Sequence, residues 1–384
     1  MANEVFDKFA QLLKQQGIDQ ALEHLIDHYR AEKQHYELFE FLKMRARHRL
    51  DLPLLYHDLG DDLSAGKRDQ LEEALVGACR EVGLLMLDDG RIREGWHYLR
   101  PVGDNAPVIK ALHEAKVDED NVQDLIDVAL GEGVDPAFGF GLTLEHYGTC
   151  NAVTTFEQQL VMLPPAKQQP MAEQLLRHLY DELTATVKGD AAHQEGKEPA
   201  ESTLAGILES RDYLVVAGSY HIDTSHLAAT VRFAKVLEDP ELLQLAWELT
   251  EYGRRLDAAF QMPQEPPFEE FYPSHARYFQ LLLSNDVEGN LNYFREKAEA
   301  SDIRREGSLA IETYITLLAR IGRDSEAMDA ALNLIPPGVH TMGIAPPLFE
   351  LCQRSGQYQT LAESCRARND LLGYATTLLH EQVK

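Results

Sequence analysis

Apolar residues in this chain recur at three- and four-residue steps, and glycine repeatedly interrupts them. Val5, Phe6, Phe9, Leu12 and Leu13 fall on one face of a helix. Gly17 breaks the period, and Ile18, Ala21, Leu22, Leu25, Ile26 and Tyr29 resume it. An apolar stripe of this kind has to be covered by another element. A tight glycine turn lets the next helix in the chain do the covering. The same grammar continues to the C-terminal residues. Only Tyr213-Leu214-Val215-Val216 has the composition of a strand, and it is too short to define a sheet. The expectation is an all-α protein, a right-handed array of antiparallel helical hairpins with an irregular central region.

The clearest hairpin covers residues 76–109. Gly83 stands in its first helix, where close helix packing needs a small residue. Gly90 follows Asp88-Asp89 and fills the turn. Gly95 takes the small position of the second helix, Leu99 the large apolar one, and Pro107 lies near the end. A looser copy runs through residues 310–337, with Gly322-Arg323-Asp324 as its turn, Ala327 at the small position and Pro336-Pro337 as its terminator. A third copy turns at Gly356, and the first hairpin, with Gly17 and Ala21, is off register by one residue. These units resemble the tetratricopeptide repeat, a helical hairpin of about 34 residues. The Trp and Tyr of that family's pattern are absent from the first helix of the clearest copy. The resemblance covers about half of the chain, at both ends. It implies a tetratricopeptide-like α–α superhelix, with hairpin repeats over 1–134 and 286–384 and an atypical helical region over 135–285.

Charge narrows the partners. Sixty-three acidic residues face 36 basic ones across 384 positions, a formal net charge of -27. Such a surface repels phosphate backbones and anionic lipid heads, so neither nucleic acid nor membrane is the expected partner. The basic run Arg45, Arg47 and Arg49, with His48 inside it, reads as a solvated helix face. The four cysteines, Cys79, Cys150, Cys352 and Cys365, form no C-x-x-C pair and suit a reducing compartment. The opening residues MANEVFDKFAQLLKQQG lack the basic and apolar regions of a signal peptide. No stretch approaches the apolar length of a membrane span. The cytoplasm is the expected location.

The middle of the chain departs from the repeat. Ala137-Phe138-Gly139-Phe140-Gly141 is glycine-rich, residues 188–199 form a polar segment expected to be a mobile surface loop, and residues 262–267 are irregular. No P-loop, G-x-G-x-x-G, H-E-x-x-H or G-x-S-x-G is present. The densest cluster of chemistry-bearing residues is His221, Asp223 and His226. Asp223 or Thr224 suits an N-cap, which places His221 just before a helix and His226 in its first turn. A helix N-terminus disfavours the imidazolium, and neutral imidazole is the form that binds metal. His146 stands four residues before Cys150, one helical turn. His275 follows Pro273 near another helix start.

Three histidine-bearing segments in one region suggest a centre with three protein ligands and an open position. In that reading His221, His226, His146 and His275 hold a divalent metal ion (zinc, manganese, nickel or iron), with Asp223 as a further ligand or orienter. Glu251 and Tyr252 move protons, and Arg232 or Arg277 holds an anionic group of a small polar substrate. Hydrolase, lyase and isomerase chemistry are all compatible. The competing assignments are structural: Asp223 as a plain cap, His146 or His275 as core residues, and Glu251 paired with Arg254 or Arg255. A second function class follows from the resemblance. Tetratricopeptide-like arrays bind proteins or peptides in a concave groove without catalysis.

Overall fold

The computed structural model describes residues 2–54, 63–216, 218–262 and 267–383. Among the described residues the protein is all-α, with twenty α-helices and no strand. The chain divides into two compact units, residues 1–148 and 149–384.

The first unit holds α1 (Ala2–Gln16), α2 (Ile18–Ala31), α3 (His35–Arg49), α4 (Ala65–Asp88), α5 (Ile92–Leu99), α6 (Ala106–Glu114) and α7 (Val122–Ile126). From α1 to α5 each helix packs on the next, and α6 and α7 both pack on α5. The core of α2, α3 and α4 joins Ile26, Leu38, Leu42, Val82 and Met86, with Tyr29 stacked on Phe41 at its edge. The α4–α5 turn is closed by Gly90 at φ 76°, a left-handed conformation that a side chain would strain. Gly83 and Gly95 bring the two helices unusually close. A Cβ on Gly83 would stand 2.6 Å from Leu99 Cγ, and one on Gly95 would stand 2.8 Å from Leu87 Cδ2. Each glycine would also press on the other's carbonyl oxygen, at 3.1 and 3.0 Å.

Two expectations are corrected in this unit. Arg45 and Arg49 do lie on a polar face, both bonded to Glu23, but Arg47 between them is buried and donates to the Pro53 carbonyl at 2.5 Å. The glycine-rich run at 137–141 is no break. It lies inside α8 (Pro136–Thr155), where Phe140 is fully buried and a Cβ on Gly139 would stand 2.7 Å from Leu130 Cβ. Here glycine serves close packing against the π-helical turn Asp127–Gly131. Helical geometry is lost instead at Gly148 (φ 79°, ψ 175°).

The second unit begins with the C-terminal end of α8 and the π-helical turn Phe156–Leu160, followed by α9 (Pro165–Glu195), whose buried Leu175, Leu179, Leu183 and Val187 form a stripe with a period of four. Packed on it are α10 (Leu204–Leu208), α11 (Thr224–Phe233) and α12 (Pro240–Arg255). The rest of the unit is α13 (Phe271–Leu282), α14 (Val287–Ala300), α15 (Ile303–Glu306), α16 (Leu309–Arg320), α17 (Asp324–Leu334), α18 (Leu348–Ser355), α19 (Tyr358–Ala367) and α20 (Leu371–Val383). Serial packing resumes from α12 through α13 to α14, then α16 to α20. Gly322 and Gly356 turn α16 into α17 and α18 into α19 as expected, both at positive φ.

The segment with strand composition is a 3-10 turn, Asp212–Val215. The polar segment 188–199 is helical as far as Glu195, so most of it is the end of α9 and not a loop. Arg211 then ties the helix end to the turn beyond it, binding Glu195 at 2.7 Å and Glu201 at 3.0 Å. Of the irregular stretch 262–267, residues 263–266 lie outside the described residues. After α17, the prolines begin a long connection that Glu312 holds down. This buried carboxylate accepts from the Ser308 hydroxyl and from the backbone N–H groups of Met342, Ile344 and Ala345.

Candidate functional site

The first unit carries a groove of about 590 Å³ over α4 to α7. Its floor is apolar, from Leu84 and Leu87 at the end of α4, Ile92 on α5, Ala111 on α6 and Leu125 on α7. The walls carry charges of both signs, most of them already paired. Arg91 bonds Glu94, which also accepts from the Tyr36 hydroxyl. The Arg91 guanidinium holds the Glu94 carboxyl down to about 2, with the Tyr36 hydroxyl contributing. Arg93 bonds Asp124 at 2.6 Å and so links α5 to α7. Lys116 and Asp88 stand exposed at the rim, and neither has an ion-pair partner among the described residues.

The histidines expected to converge have separate environments. His221 is the most enclosed of the pair before and within α11. Its Nε2 lies 3.2 Å from Asp190 Oδ2 on α9, and its Nδ1 lies 3.0 Å from the hydroxyl of Tyr252 on α12. That hydroxyl also accepts the His221 backbone N–H at 2.9 Å. With Nε2–H donated to the carboxylate, Nδ1 accepts from the phenol. Both ring nitrogens are therefore engaged, and neither is left to ligate. Burial raises the Tyr252 hydroxyl to about 12, so it stays protonated as this geometry requires.

Asp223 does cap α11, as its sequence suggests. Its Oδ1 accepts from the backbone N–H of Ser225 at 2.8 Å and of His226 at 3.2 Å. His226 occupies the first turn, half-buried. His146 and Cys150 are both exposed, but the break at Gly148 between them ends the single helical face they were expected to share. Glu251 pairs with Arg254 at 2.8 Å, and Arg232 with Glu157 at 2.5 Å, both at the surface. Arg277 lies over the Tyr293 ring. Among the described residues no three His, Cys, Asp or Glu side chains group as metal ligands.

His275 is buried in α13 and lines a small cavity of about 20 Å³, together with Lys235, Ser274, Tyr278 and Thr313. Neither His221 nor His226 reaches it. The His275 Nδ1–H donates to the Phe271 carbonyl at 2.8 Å, while Nε2 has no partner. Burial pushes this imidazole down to about 3, and the nearby Lys235 ammonium adds to the effect. Burial likewise pushes Lys235 down to about 8, with Arg232 contributing. Its main chain is fixed by Arg320, which donates to the carbonyls of Lys235 and Leu237, and by the Tyr278 hydroxyl. His275 thus shares its cavity with Lys235 and with none of the other expected ligands.

Compared with protein-family models, curated proteins and solved structures, the chain matches none of them. Lys235, Asp190 and the groove are not singled out by motif or periodicity. Lys235 had a signal: it is the only charged residue in Phe233-Ala234-Lys235-Val236-Leu237. Asp190 had none, since it sits in a polar run where one more acid carries no information.

Proposed function

We propose that the protein is a helical-repeat scaffold that binds a short amphipathic peptide segment in the groove of its first unit. The observation that carries this reading is the groove itself: an apolar floor laid across α4 to α7, between walls bearing charges of both signs. Apolar side chains of a peptide would cover Leu84 and Ala111. Its flanking charges would meet Lys116 and Asp88, which have no internal partner to give up. Serial packing of α1 to α5, and the glycine-matched α4–α5 hairpin, support a tetratricopeptide-like arrangement of the array. The metal-assisted enzyme has less behind it. Its ligands would have to come from His221, His226, His146 and His275, and both nitrogens of His221 are already engaged.

The test is selection of displayed peptides on the immobilised full chain, with solution affinities measured for the peptides that enrich. Ala111→Trp fills the groove and Lys116→Glu reverses one rim charge. The expected result is micromolar binding weakened about tenfold or more by Ala111→Trp, a change of about 1.4 kcal/mol. Peptides that bind the tryptophan variant as tightly as the parent would overturn the reading. So would a selection that enriches nothing.

A further inference from the structure

The α19–α20 hairpin leaves one helix face uncovered. The inner face of α20 is set by Gly373, Thr377 and His380, spaced four and three residues apart. A Cβ on Gly373 would stand 2.9 Å from Cys365 Sγ on α19, so glycine lets the two helices approach. Thr377 is fully buried and donates its hydroxyl to the Gly373 carbonyl. The His380 ring lies against Phe349 and Tyr358, with Gln353 at 2.8 Å from its Nε2. These contacts fix where the opposite face points. Leu371, Leu372, Ala375, Thr376 and Leu379 fall within about 140° of the helix circumference, away from them.

Leu371, Leu372 and Leu379 are 78%, 80% and 68% exposed, whereas no other leucine among the described residues exceeds the 41% of Leu13. One exposed leucine is ordinary, but three on one stripe are not. Together they present on the order of 400 Å² of apolar surface, the size at which a patch marks an interaction site. A second copy doubles this to about 800 Å², and the surface of Ala375, Thr376 and Gln382 beside it brings the total toward the ~1,000 Å² of a specific interface. Charge agrees. Residues 371–379 carry no charged side chain in a chain of net charge -27, so two copies can meet here without opposing like charges. The exposed stripe of α1 is different, since Phe6 and Leu13 stand among exposed Asp7, Lys8 and Lys14. Symmetry then specifies the occupant, because a patch in a two-fold contact must complement itself. Leu372 and Leu379 lie evenly on either side of Ala375–Thr376, about 10 Å apart along the helix. Antiparallel pairing of two such helices sets the small Ala375 and Thr376 against their own copies at the axis. It sets each Leu372 against Leu379 of the other copy.

We propose that the protein self-associates as a two-fold dimer through the exposed face of α20, paired antiparallel with the same helix of a second copy. The pairing removes six exposed leucines from water. Its small area makes it a concentration-dependent dimer, with a Kd on the order of 10 μM. It uses different residues from the groove and does not depend on the peptide-binding reading.

The experiment is analytical ultracentrifugation of the full chain from about 1 to 300 μM, a range that brackets micromolar association. The parent should pass from monomer to dimer. Leu379→Glu and Leu372→Lys should each stay monomeric, a weakening of about thirtyfold or more, with helical circular dichroism kept because both positions are exposed. Mixed together, the two variants should dimerise again, since the new lysine of one copy faces the new glutamate of the other and the remaining contact is leucine on leucine. Phe6→Glu should leave the parent's behaviour unchanged. Thr376→Arg, which opposes two like charges at the axis, replaces either variant that loses its helical signal and should also be monomeric. A parent that stays monomeric throughout overturns the proposal and leaves the face to a different protein. A folded Leu379→Glu chain that dimerises like the parent overturns it as well. So does a mixture that stays monomeric, which would set α20 against some other surface of the second copy.

Discussion

The α4–α5 hairpin and the helices from α9 to α13 are held together by different means. The hairpin is closed by absence of side chain. Gly83 and Gly95 let two helix backbones approach, Gly90 turns between them, and Leu87 and Leu99 fill the remaining space. These contacts join residues close in sequence. The α9–α13 region is joined by polar side chains reaching across long stretches of chain. Asp190, His221 and Tyr252 link three elements, the Tyr180 hydroxyl and the α10 backbone converge on buried Glu248, and Arg320 reaches back to the carbonyl of Lys235. One region is closed by shape, with its ion pairs, Arg91–Glu94 among them, partly exposed. The other contains buried ionisable groups, whose burial makes its stability depend on pH nearer neutrality. The chain's two tryptophans, Trp96 on α5 and Trp247 on α12, report on the two regions separately.

The largest expected effect is on the pH response. His275 has an ordinary value of 6.5 and is pushed to about 3 in the folded protein, first by burial and then by Lys235. Its folded pKa is below its unfolded one, so the unfolded chain binds the extra proton first. Stability is therefore full above pH 6.5 and falls as the pH drops from there toward 3. Between pH 7 and 4 the loss is about 3 kcal/mol, one pKa unit being about 1.4 kcal/mol. Urea unfolding of a Trp96→Phe protein, read by Trp247, should show it. His275→Leu should remove most of that slope, while a Trp247→Phe protein, read by Trp96, should show little of it. A slope unchanged in His275→Leu would mean that other groups account for the acid sensitivity.

Shape is tested next. Gly95→Val places methyl groups where Leu87 and the Gly83 carbonyl already stand. Overpacking of this kind costs about 2 kcal/mol. Unfolding followed through Trp96, one residue away, should shift accordingly with no added pH dependence. A neutral result would show that α4 and α5 can separate without cost, and the supposed contrast between the regions would fail.

The same contrast explains what was legible in the sequence. The positions of Gly83, Gly90, Gly95 and Leu99 announced the hairpin, because the spacing of the residues and the contacts they make are both local. The all-α class followed from the 3.6-residue period, and the N-cap Asp223 and the first-turn Pro273 were likewise local signals. The partners of His221 were not legible, since Asp190 stands 31 residues before it and Tyr252 31 residues after. Histidines clustered along the chain looked like a shared centre, and periodicity has no means of saying where their rings go. Glu312 shows that this limit reaches even a well-marked hairpin. Its role as the anchor for Met342, Ile344 and Ala345 depends on contacts about 30 residues away. The glycine-rich run at 137–141 misled in the opposite sense, because glycine that permits close packing and glycine that breaks a helix read alike.

Tyr252→Phe measures one polar link on its own. The ring stays and the hydroxyl goes, leaving the His221 backbone N–H and Nδ1 without their partner. Unsatisfied buried groups of that kind cost about 1–2 kcal/mol. The loss should be read by Trp247, five residues before Tyr252 in the same helix, and should exceed that of a surface change such as Glu251→Gln. A loss below that of the surface control would make the link incidental to the fold.

The smallest effect has the opposite sign, and it tests whether glycine as such or glycine in contact closes the hairpin. Gly77 lies in α4 with Gly83, yet a Cβ added there would meet nothing within 4 Å. At such a site glycine only adds freedom to the unfolded chain. Gly77→Ala should therefore stabilise the protein by about 0.5–1 kcal/mol, the helix-propensity difference. Gly83→Ala, six residues on in the same helix, should destabilise it, because Leu99 Cγ would stand 2.6 Å away. Opposite signs for one chemical change in one helix would locate the closing force at the α4–α5 contact. Equal signs would reduce both glycines to propensity and remove the reason for the short distance between the helices.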